Sequence, residues 1–379
     1  FRPRNRIRVG YVCGHFNRHA LAYLAAGLYE RHDREKFEII AFDSGRDDGS
    51  AIRARLIKAF DRFIPIAALA DDEAARRVLA EDIDILVNVD GLSGHIRMGL
   101  FARRPAPVQV NWLGYPGTLG TSTIDYIIAD AVVLPESEQR WYEEKIVTLP
   151  HVYQVNDDRR AIADPVPSRV LHGLPGKGFV FCNFNQSYKL TPAVFDCWMR
   201  LLLTSEGSVL WLLDADPLFQ ANLRKEAEAR GVEGGRLIFA PLMENKDHLA
   251  RLKLADLFLD TLPYNAHTTC SDALWAGLPV LTCRGTAFPG RVAASLLTAM
   301  DMPELIALNM NDYEQRALQL ARDPVHLCGI REKIAANRAK SPLFDTDLYR
   351  RHLESAYRIM MEQLGRPRAF RIEAGPVGA

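Results

Sequence analysis

Short, nearly continuous runs of Val, Ile, Leu and aromatic residues recur along this chain, and amphipathic stretches of helical period separate them. That rhythm constrains the fold more than any other feature. A strand that is apolar at every position has both faces buried, as happens in parallel sheets covered by helices on both sides. Parallel neighbours also need a long crossover between them, which the amphipathic stretches supply. In the first half, Arg6–Cys13, Phe37–Asp43, Asp84–Asp90, Val108–Leu113 and Tyr126–Ala129 are predicted strands. Ala20–Arg31, Ser50–Ala59 and Asp71–Ala80 are predicted helices.

The rhythm stops over 151–177, where Pro165, Pro167, Gly173, Pro175 and Gly176 cluster among mixed charges. It then restarts with strands Phe179–Asn185, Val209–Leu213, Arg236–Ala240, Leu257–Asp260 and Pro279–Thr282. Helices Thr191–Leu203, Pro217–Arg230, Asn245–Leu252 and Thr269–Ala276 lie between them. Thr191-Pro192 is an N-cap followed by a first-turn proline. Helices Asn311–Arg322, Val325–Asn337 and Thr346–Leu364 close the chain. At roughly 100–200 residues per domain, the length fits two domains. The pattern divides the chain into a first lobe (1–150), a linker (151–177), a second lobe (178–340), a C-terminal helix (341–364) and a loose tail (365–379). The expected class is α/β, with two Rossmann-like, doubly wound domains facing a cleft. Ligands of such sheets bind beyond the carboxyl ends of the strands, so chemistry is expected in the loops that follow them.

Charge narrows the partners. Lys and Arg number 47 and so do Asp and Glu, which gives no bulk attraction to nucleic acid or an anionic membrane. Neither is expected as a partner. The uncharged stretch Pro105–Ile124 is broken by Pro, Gly, Gln, Asn and Thr and cannot span a bilayer. Six scattered cysteines form no C-x-x-C pair, which fits reduced thiols in the cytoplasm. The opening FRPRNRIRVGY has neither an initiator Met nor a signal peptide, and reads as a piece of a longer protein.

Five post-strand segments carry candidate chemistry. In LDTLPYNAHTTCSDALWAGLP (259–279) a strand ends at Asp260, a loop carries Asn265, His267, Thr268 and Thr269, and a helix begins with Asp272 in its first turn. Free N–H groups and the dipole make such an N-terminus an anion site, and Asp272 suits a ribose diol. Equally, a Thr there can be only a cap. In CNFNQSYKL (182–190), Gln186 and Lys189 follow a strand. Lys189 is either a counter-charge for a diphosphate or a surface lysine. In PLMENKDHLAR (241–251), His248 and Arg251 share a helix face, either for a nucleobase or as a solvated turn. In GHFNRHALAYL (14–24), His15 and His19 follow the first strand, and a His there is either a general base or a cap. In PAPVQVNWLGYPGTLG (105–120), Gly114, Gly117 and Gly120 allow close backbone approach or simply form a turn. No G-x-G-x-x-G, G-x-x-x-x-G-K-[ST], H-E-x-x-H or paired Cys/His spacing occurs. Asp214-Ala215-Asp216 follows a strand as a metal-holding D-x-D would, or is an acidic turn.

RVGYV, ILVNVDG, RPAPVQVNWLGYPGT, CNFNQSYK, VLWLL, LDTLPYNAHTT, LWAGLPV, RVAASLL and SPLF occur in this order. Together they resemble the catalytic region of the bacterial O-linked N-acetylglucosamine transferases, from about Arg6 to Leu364. The resemblance implies a GT-B fold and metal-independent, inverting transfer of N-acetylglucosamine from UDP-GlcNAc to Ser or Thr of a protein or peptide acceptor. It implies no cofactor beyond that donor substrate. It also implies tetratricopeptide repeats upstream, through which oligomers form, and no long insertion between the lobes. By position, His19 corresponds to the histidine near the reacting centre, while Gln186 and Lys189 contact the diphosphate. His267, Thr268 and Thr269 are the phosphate-binding H-T-T, and Asp272 the ribose ligand. Met243, His248 and Arg251 hold the uridine, Met243 through its backbone. Animal members carry Lys where Asn245 stands, and here Lys246 is next door. Two rival readings are a protein O-fucosyltransferase using GDP-fucose and a catalytically idle nucleotide-sugar-binding module.

Overall fold

The computed structural model describes residues 5–94 and 96–374. Residues up to Arg159 pack with the stretch from Pro342 onward into one compact unit, and Arg160–Ser341 form another. The first unit opens with β1 (Ile7–Cys13), α1 (Ala20–Arg31), β2 (Phe37–Asp43), α2 (Ala51–Ala59), β3 (Arg62–Pro65), α3 (Asp71–Ala80) and β4 (Ile85–Asn88). It continues through the short α4 (Met98–Ala102), β5 (Val108–Asn111), β6 (Tyr126–Asp130) and β7 (Lys145–Leu149). The second unit runs β8 (Val180–Asn183), α5 (Pro192–Thr204), β9 (Val209–Leu213), α6 (Pro217–Glu228), β10 (Leu237–Ala240), α7 (Asn245–Leu252) and β11 (Leu257–Leu259). Then come α8 (Thr268–Ala276), β12 (Val280–Cys283), α9 (Val292–Ala299), β13 (Ile306–Ala307), α10 (Met310–Arg322) and α11 (Pro324–Arg338). The chain returns to the first unit as α12 (Thr346–Glu362) and β14 (Phe370–Arg371).

Each unit is built on one sheet, ordered β14-β7-β6-β5-β4-β1-β2-β3 in the first and β10-β9-β8-β11-β12-β13 in the second. Every pairing recorded in them is parallel. The fold is therefore α/β with two doubly wound sheets, and the uninterrupted Val/Ile runs are its buried central strands. Thr191 caps α5 ahead of Pro192, as the sequence predicts. Gly277, at φ 86°, ends α8 in the left-handed conformation that disfavours a side chain.

Several elements escape the sequence pattern. Strands β3 and β7 are short, and each begins on a charged residue. Helix α9 (VAASLLTA) is apolar on nearly all sides and so shows no helical period. The stretch expected as a linker is divided between the units. Asn156 O accepts from Thr346 Oγ1 at 2.7 Å in the first, while Arg169 donates to Leu254 O at 3.0 Å in the second. The tail expected to be loose supplies β14 as an edge strand, paired with Val147 and Thr148 of β7. A two-residue strand has no period to read. Residues 375–379 of that tail lie outside the described residues. No helix among the described residues is long and apolar enough to cross a membrane.

Helix α12 packs against α1 and β7 through Leu348, Tyr349, Leu353, Ala356, Tyr357 and Met360. Buried polar contacts fix its register. Trp112 Nε1 donates to Tyr349 Oη at 2.9 Å, and Tyr11 Oη lies 3.0 Å from Tyr357 Oη and 2.9 Å from His32 Nε2. Burial lowers the His32 pKa, so the neutral ring donates from Nδ1 to Glu354 Oε1 at 2.9 Å and accepts from Tyr11. The same Glu354 oxygen accepts from Asp33 N–H at 2.9 Å. Glu354→Ala leaves the buried His32 Nδ1 and the half-buried Asp33 N–H unpaired and is expected to destabilise the first unit by about 1–3 kcal/mol. A lower urea midpoint for that unit's unfolding is the measurement that checks it.

Candidate functional site

In the second unit, β8 and β11 pair directly, so the loops beyond their carboxyl ends meet. Lys189 sits in the short turn after β8. It is 9% exposed, which rules out the surface-lysine reading. Its ammonium donates to Asn265 O at 2.7 Å and lies 4.2 Å from the centre of the Tyr264 ring. Burial pushes its pKa down to about 8, against the pull of Asp260. Asp260, at the end of β11, is pushed up to about 6 by burial. It accepts from Thr261 N–H, Ala266 N–H and the Thr282 hydroxyl, all within 2.6–2.7 Å. One carboxylate thus shapes the loop from which Asn265 O reaches Lys189.

The loop ends in α8. His267 is the N-cap, and its side chain accepts no hydrogen bond from the helix. The first-turn N–H groups and the positive end of the dipole are therefore open to an anion. His267 stacks on Tyr264, centroids 4.8 Å apart, and donates from Nε2 to Pro289 O at 3.1 Å. Burial first, then the charge of Lys189, holds it neutral, which leaves Nδ1 as an acceptor. Thr269 donates its hydroxyl proton to Asn185, and Asn185 Nδ2 donates to Thr261 at 3.0 Å. Of the two Thr side chains expected as anion donors, Thr269 is committed to Asn185, and Thr268 has no hydrogen-bond partner among the described residues. The open donors are the Lys189 ammonium, the Thr268 hydroxyl and the backbone at the start of α8. Asn265 Oδ1 is buried and finds no donor among the described residues.

Asp272, expected at a ribose, has Oδ1 in a buried ion pair with Arg160, which leaves only Oδ2 for a ligand. The Arg160 guanidinium also lies 5.7 Å from the Trp275 ring centre, and Arg160 O accepts from Trp275 Nε1 at 3.1 Å. Arg251 is 1% exposed, hence a brace rather than a solvated residue. It donates to Pro241 O at 2.6 Å and to His248 Nδ1 at 3.0 Å, with its guanidinium 4.7 Å from the Phe184 ring centre. Burial and that cation push His248 down to about 3, so its neutral ring carries a proton on Nε2. Gln186 and Met243 are exposed. Asn245 and Lys246 open α7, and Lys246 O accepts from Ala163 N–H at 3.0 Å. Asp214 accepts from Gln220 at 2.7 Å, and Asp216 caps α6 by accepting from Phe219 N–H at 2.8 Å.

In the first unit, His19 is the N-cap of α1, and its Nδ1 accepts from Leu21 N–H at 3.3 Å. Burial, then the nearby His15, pushes it down to about 4, with Asp90 opposing. The imidazole is thus neutral, with its proton on Nε2. His15 stacks on it, ring centroids 3.9 Å apart, and meets Asp90 Oδ1 through Nδ1 at 2.7 Å. Cys13, His15 and Asp90 offer three ligand atoms within 4.8 Å of one another, a cluster that sequence spacing hides because β1 and β4 assemble it. Sequence reasoning also assigned no role to Tyr264, Asp260 and Arg160. Asp90 and Asp260 carried one usable signal, an acidic residue at a strand's carboxyl end. Arg160, inside the presumed linker, carried none.

The family profile of Glycosyl transferase family 41 matches residues 2–165 and 162–353. A probable UDP-N-acetylglucosamine–peptide N-acetylglucosaminyltransferase, SEC, of Arabidopsis thaliana is 35% identical over 358 residues, covering 93% of this chain and 37% of that protein. The Caenorhabditis elegans UDP-N-acetylglucosamine–peptide N-acetylglucosaminyltransferase is 28% identical over 461 residues, covering 92% of this chain and 40% of that protein. The chain thus spans about two fifths of these relatives' length. Among solved structures, a mutant of the Thermobaculum terrenum O-GlcNAc transferase superposes with a TM-score of 0.87 at 34% identity, covering 95% of this chain and 68% of that one. Anabaena HepE, solved with UDP and glucose, shares the fold alone, at a TM-score of 0.62 and 12% identity over 93% of this chain and 100% of that one.

Sulfate keeps its charge across neutral and alkaline pH and so serves as a plain anion probe of the second unit. Its affinity is expected to fall as pH rises through about 8, where the buried ammonium of Lys189 loses its proton. Calorimetric titration over about pH 6 to about pH 10 checks this. Lys189→Arg, which stays charged throughout, is expected to flatten the profile.

Proposed function

The chain belongs to Glycosyl transferase family 41, and from that premise we propose that it transfers N-acetylglucosamine from UDP-GlcNAc to Ser or Thr hydroxyls of a protein acceptor, inverting the anomeric carbon without a metal ion. One observation carries the reading. A nearly dry ammonium, Lys189, donates to the loop that leads into the uncapped N-terminus of a nine-residue helix. Departing UDP needs no proton, only a site that holds the charge gathering on its diphosphate. Fixed donors in a water-poor site do that without reorganising. Lys189, the first N–H groups of α8 and the Thr268 hydroxyl supply them. Arg251 and Phe184 brace His248, which presents a neutral N–H donor to the uracil edge. Oδ2 of Asp272 is the ribose acceptor; burial raises the pKa of its carboxyl and the Arg160 charge opposes that push.

The acceptor oxygen bonds to the anomeric carbon as the bond from that carbon to the β-phosphate oxygen breaks. The hydroxyl proton must leave at the same time. His19 is a poor sink for it, because Nδ1 faces Leu21 N–H and the ring's pKa is near 4. The proton goes instead to a phosphate oxygen of the donor, which becomes more basic as UDP departs. His19, with its proton on Nε2, then orients the reacting groups as a hydrogen-bond donor.

Donor turnover against a panel of UDP- and GDP-sugars, with and without a Ser-containing peptide, tests the proposal. UDP-GlcNAc turnover that requires the peptide is the expected result. Transfer from GDP-fucose instead, or UDP binding with no transfer, would replace the reading with one of its two rivals. Lys189→Ala is expected to lower kcat by about 10²–10³, and a variant with normal kcat removes the assigned role. Chelation is expected to leave the rate unchanged. Activity lost to a chelator and restored by added metal refutes metal independence.

A further inference from the structure

Strands β1 and β4 lie side by side, and the first residues beyond each carry a matched pair. Asp90, two residues past β4, is 2% exposed. Its Oδ2 accepts from Gly14 N–H at 2.5 Å, and its Oδ1 takes the Cys13 thiol at 3.4 Å and His15 Nδ1 at 2.7 Å. The carboxylate is held by backbone and in turn holds the His15 ring, whose Nδ1 is thereby the donor. At the ring's edge stands Gly94, at φ 64°. A Cβ there would lie 2.1 Å from His15 Cε1, so no side chain fits. With one nitrogen tethered and one edge walled, the face of His15 becomes a fixed plate. Against it lies the His19 imidazole, with the rings 27° from parallel and 3.9 Å apart.

We propose that the Asp90–His15 pair is a positioning device for the transfer: it fixes the plane of the His19 ring and hence the direction in which Nε2–H points. Among the described residues one hydrogen bond meets the His19 ring, from Leu21 N–H to Nδ1, and the stack on His15 sets its plane. Asp90 and His15 act through His19 and touch no substrate. The inference rests on the reading above, in which His19 orients the reacting groups.

The test uses the chain as it stands, with UDP-GlcNAc and a Ser-containing peptide. Asp90→Ala, His15→Ala and His15→Phe are compared singly and in a His19→Ala background. Misaligning a group by about 1 Å costs on the order of 10²-fold, so Asp90→Ala and His15→Ala are expected to lower kcat by about tenfold to a hundredfold. KM for the donor should change by less than about twofold, because Lys189 and α8 hold the diphosphate. His15→Phe, which keeps a flat ring against His19, should recover most of the loss. In the His19→Ala background the same changes should have no further effect, which a merely structural role would not produce. Losses that multiply across the two backgrounds, or a normal kcat for His15→Ala beside an impaired His19→Ala, overturn the proposal. A normal kcat for His19→Ala itself overturns the reading beneath it and the positioning role with it. Should His15→Ala fail to fold, Gly94→Ala decides. Its methyl displaces the plate, so it must reproduce the kcat loss, and a normal kcat there counts against the proposal.

Discussion

A parallel strand pair cannot be closed by a tight turn, so every crossover returns through a helix and every strand of one sheet ends at the same edge. This geometric rule gathers the chain's polar chemistry. Carboxyl ends of strands leave backbone groups and short loops that need partners, and here they find them in side chains from the neighbouring strand's end. Asp90 beyond β4 serves the loop after β1, and Asp260 beyond β11 serves the loop that reaches Lys189 beyond β8. Each of these two buried carboxylates thus shapes a loop, and in each case that loop region holds a nitrogen group with a lowered pKa.

Burial does most of the electrostatic tuning. His19, His248 and His267 all have pKa values pulled down chiefly by burial. Neighbouring atoms then decide which nitrogen keeps the proton. Leu21 N–H faces Nδ1 of His19 and Arg251 faces Nδ1 of His248, so both offer Nε2–H outward. His267 is reversed, because Pro289 O takes its Nε2 proton. Three histidines alike in sequence thereby become two donors and one acceptor, with no change in charge. Lys189 is balanced differently. Its burial is relieved by a carbonyl, an aromatic face and, at a distance, Asp260.

Much of this was legible in the residue pattern, and the rest was not, for definite reasons. The central strands announced themselves because a strand buried on both faces has no polar alternation to confuse it. The cap at Thr191 is local chemistry, readable within four residues. Strand β14 was not legible, because two residues carry no period and only the open edge of β7 gives them a place. The burial of Lys189 depends on Tyr264 and Asn265, 75 and 76 positions away, and the Arg160–Asp272 pair spans 112. The family motifs named candidate residues but said nothing of their partners. They could not show that the Thr269 hydroxyl is committed to Asn185, or that His15 stacks on His19. Such pairings are made by the sheet, not by sequence proximity.

The path of the chain has its own consequence. The second unit occupies one continuous stretch, whereas the first is completed only when α12 and β14 come back to it. The hydroxyls of Tyr11 and Tyr357 that meet under α12 are separated by 346 positions. A ribosome adding about 5–20 residues per second needs roughly 20–70 s to traverse that interval. Until α12 emerges, the apolar bed of α1, and of β7 once it is made, waits uncovered while the inserted unit is free to finish. The order of maturation therefore runs against the order of synthesis: the inserted unit can settle first, and the unit whose strands were made before it last.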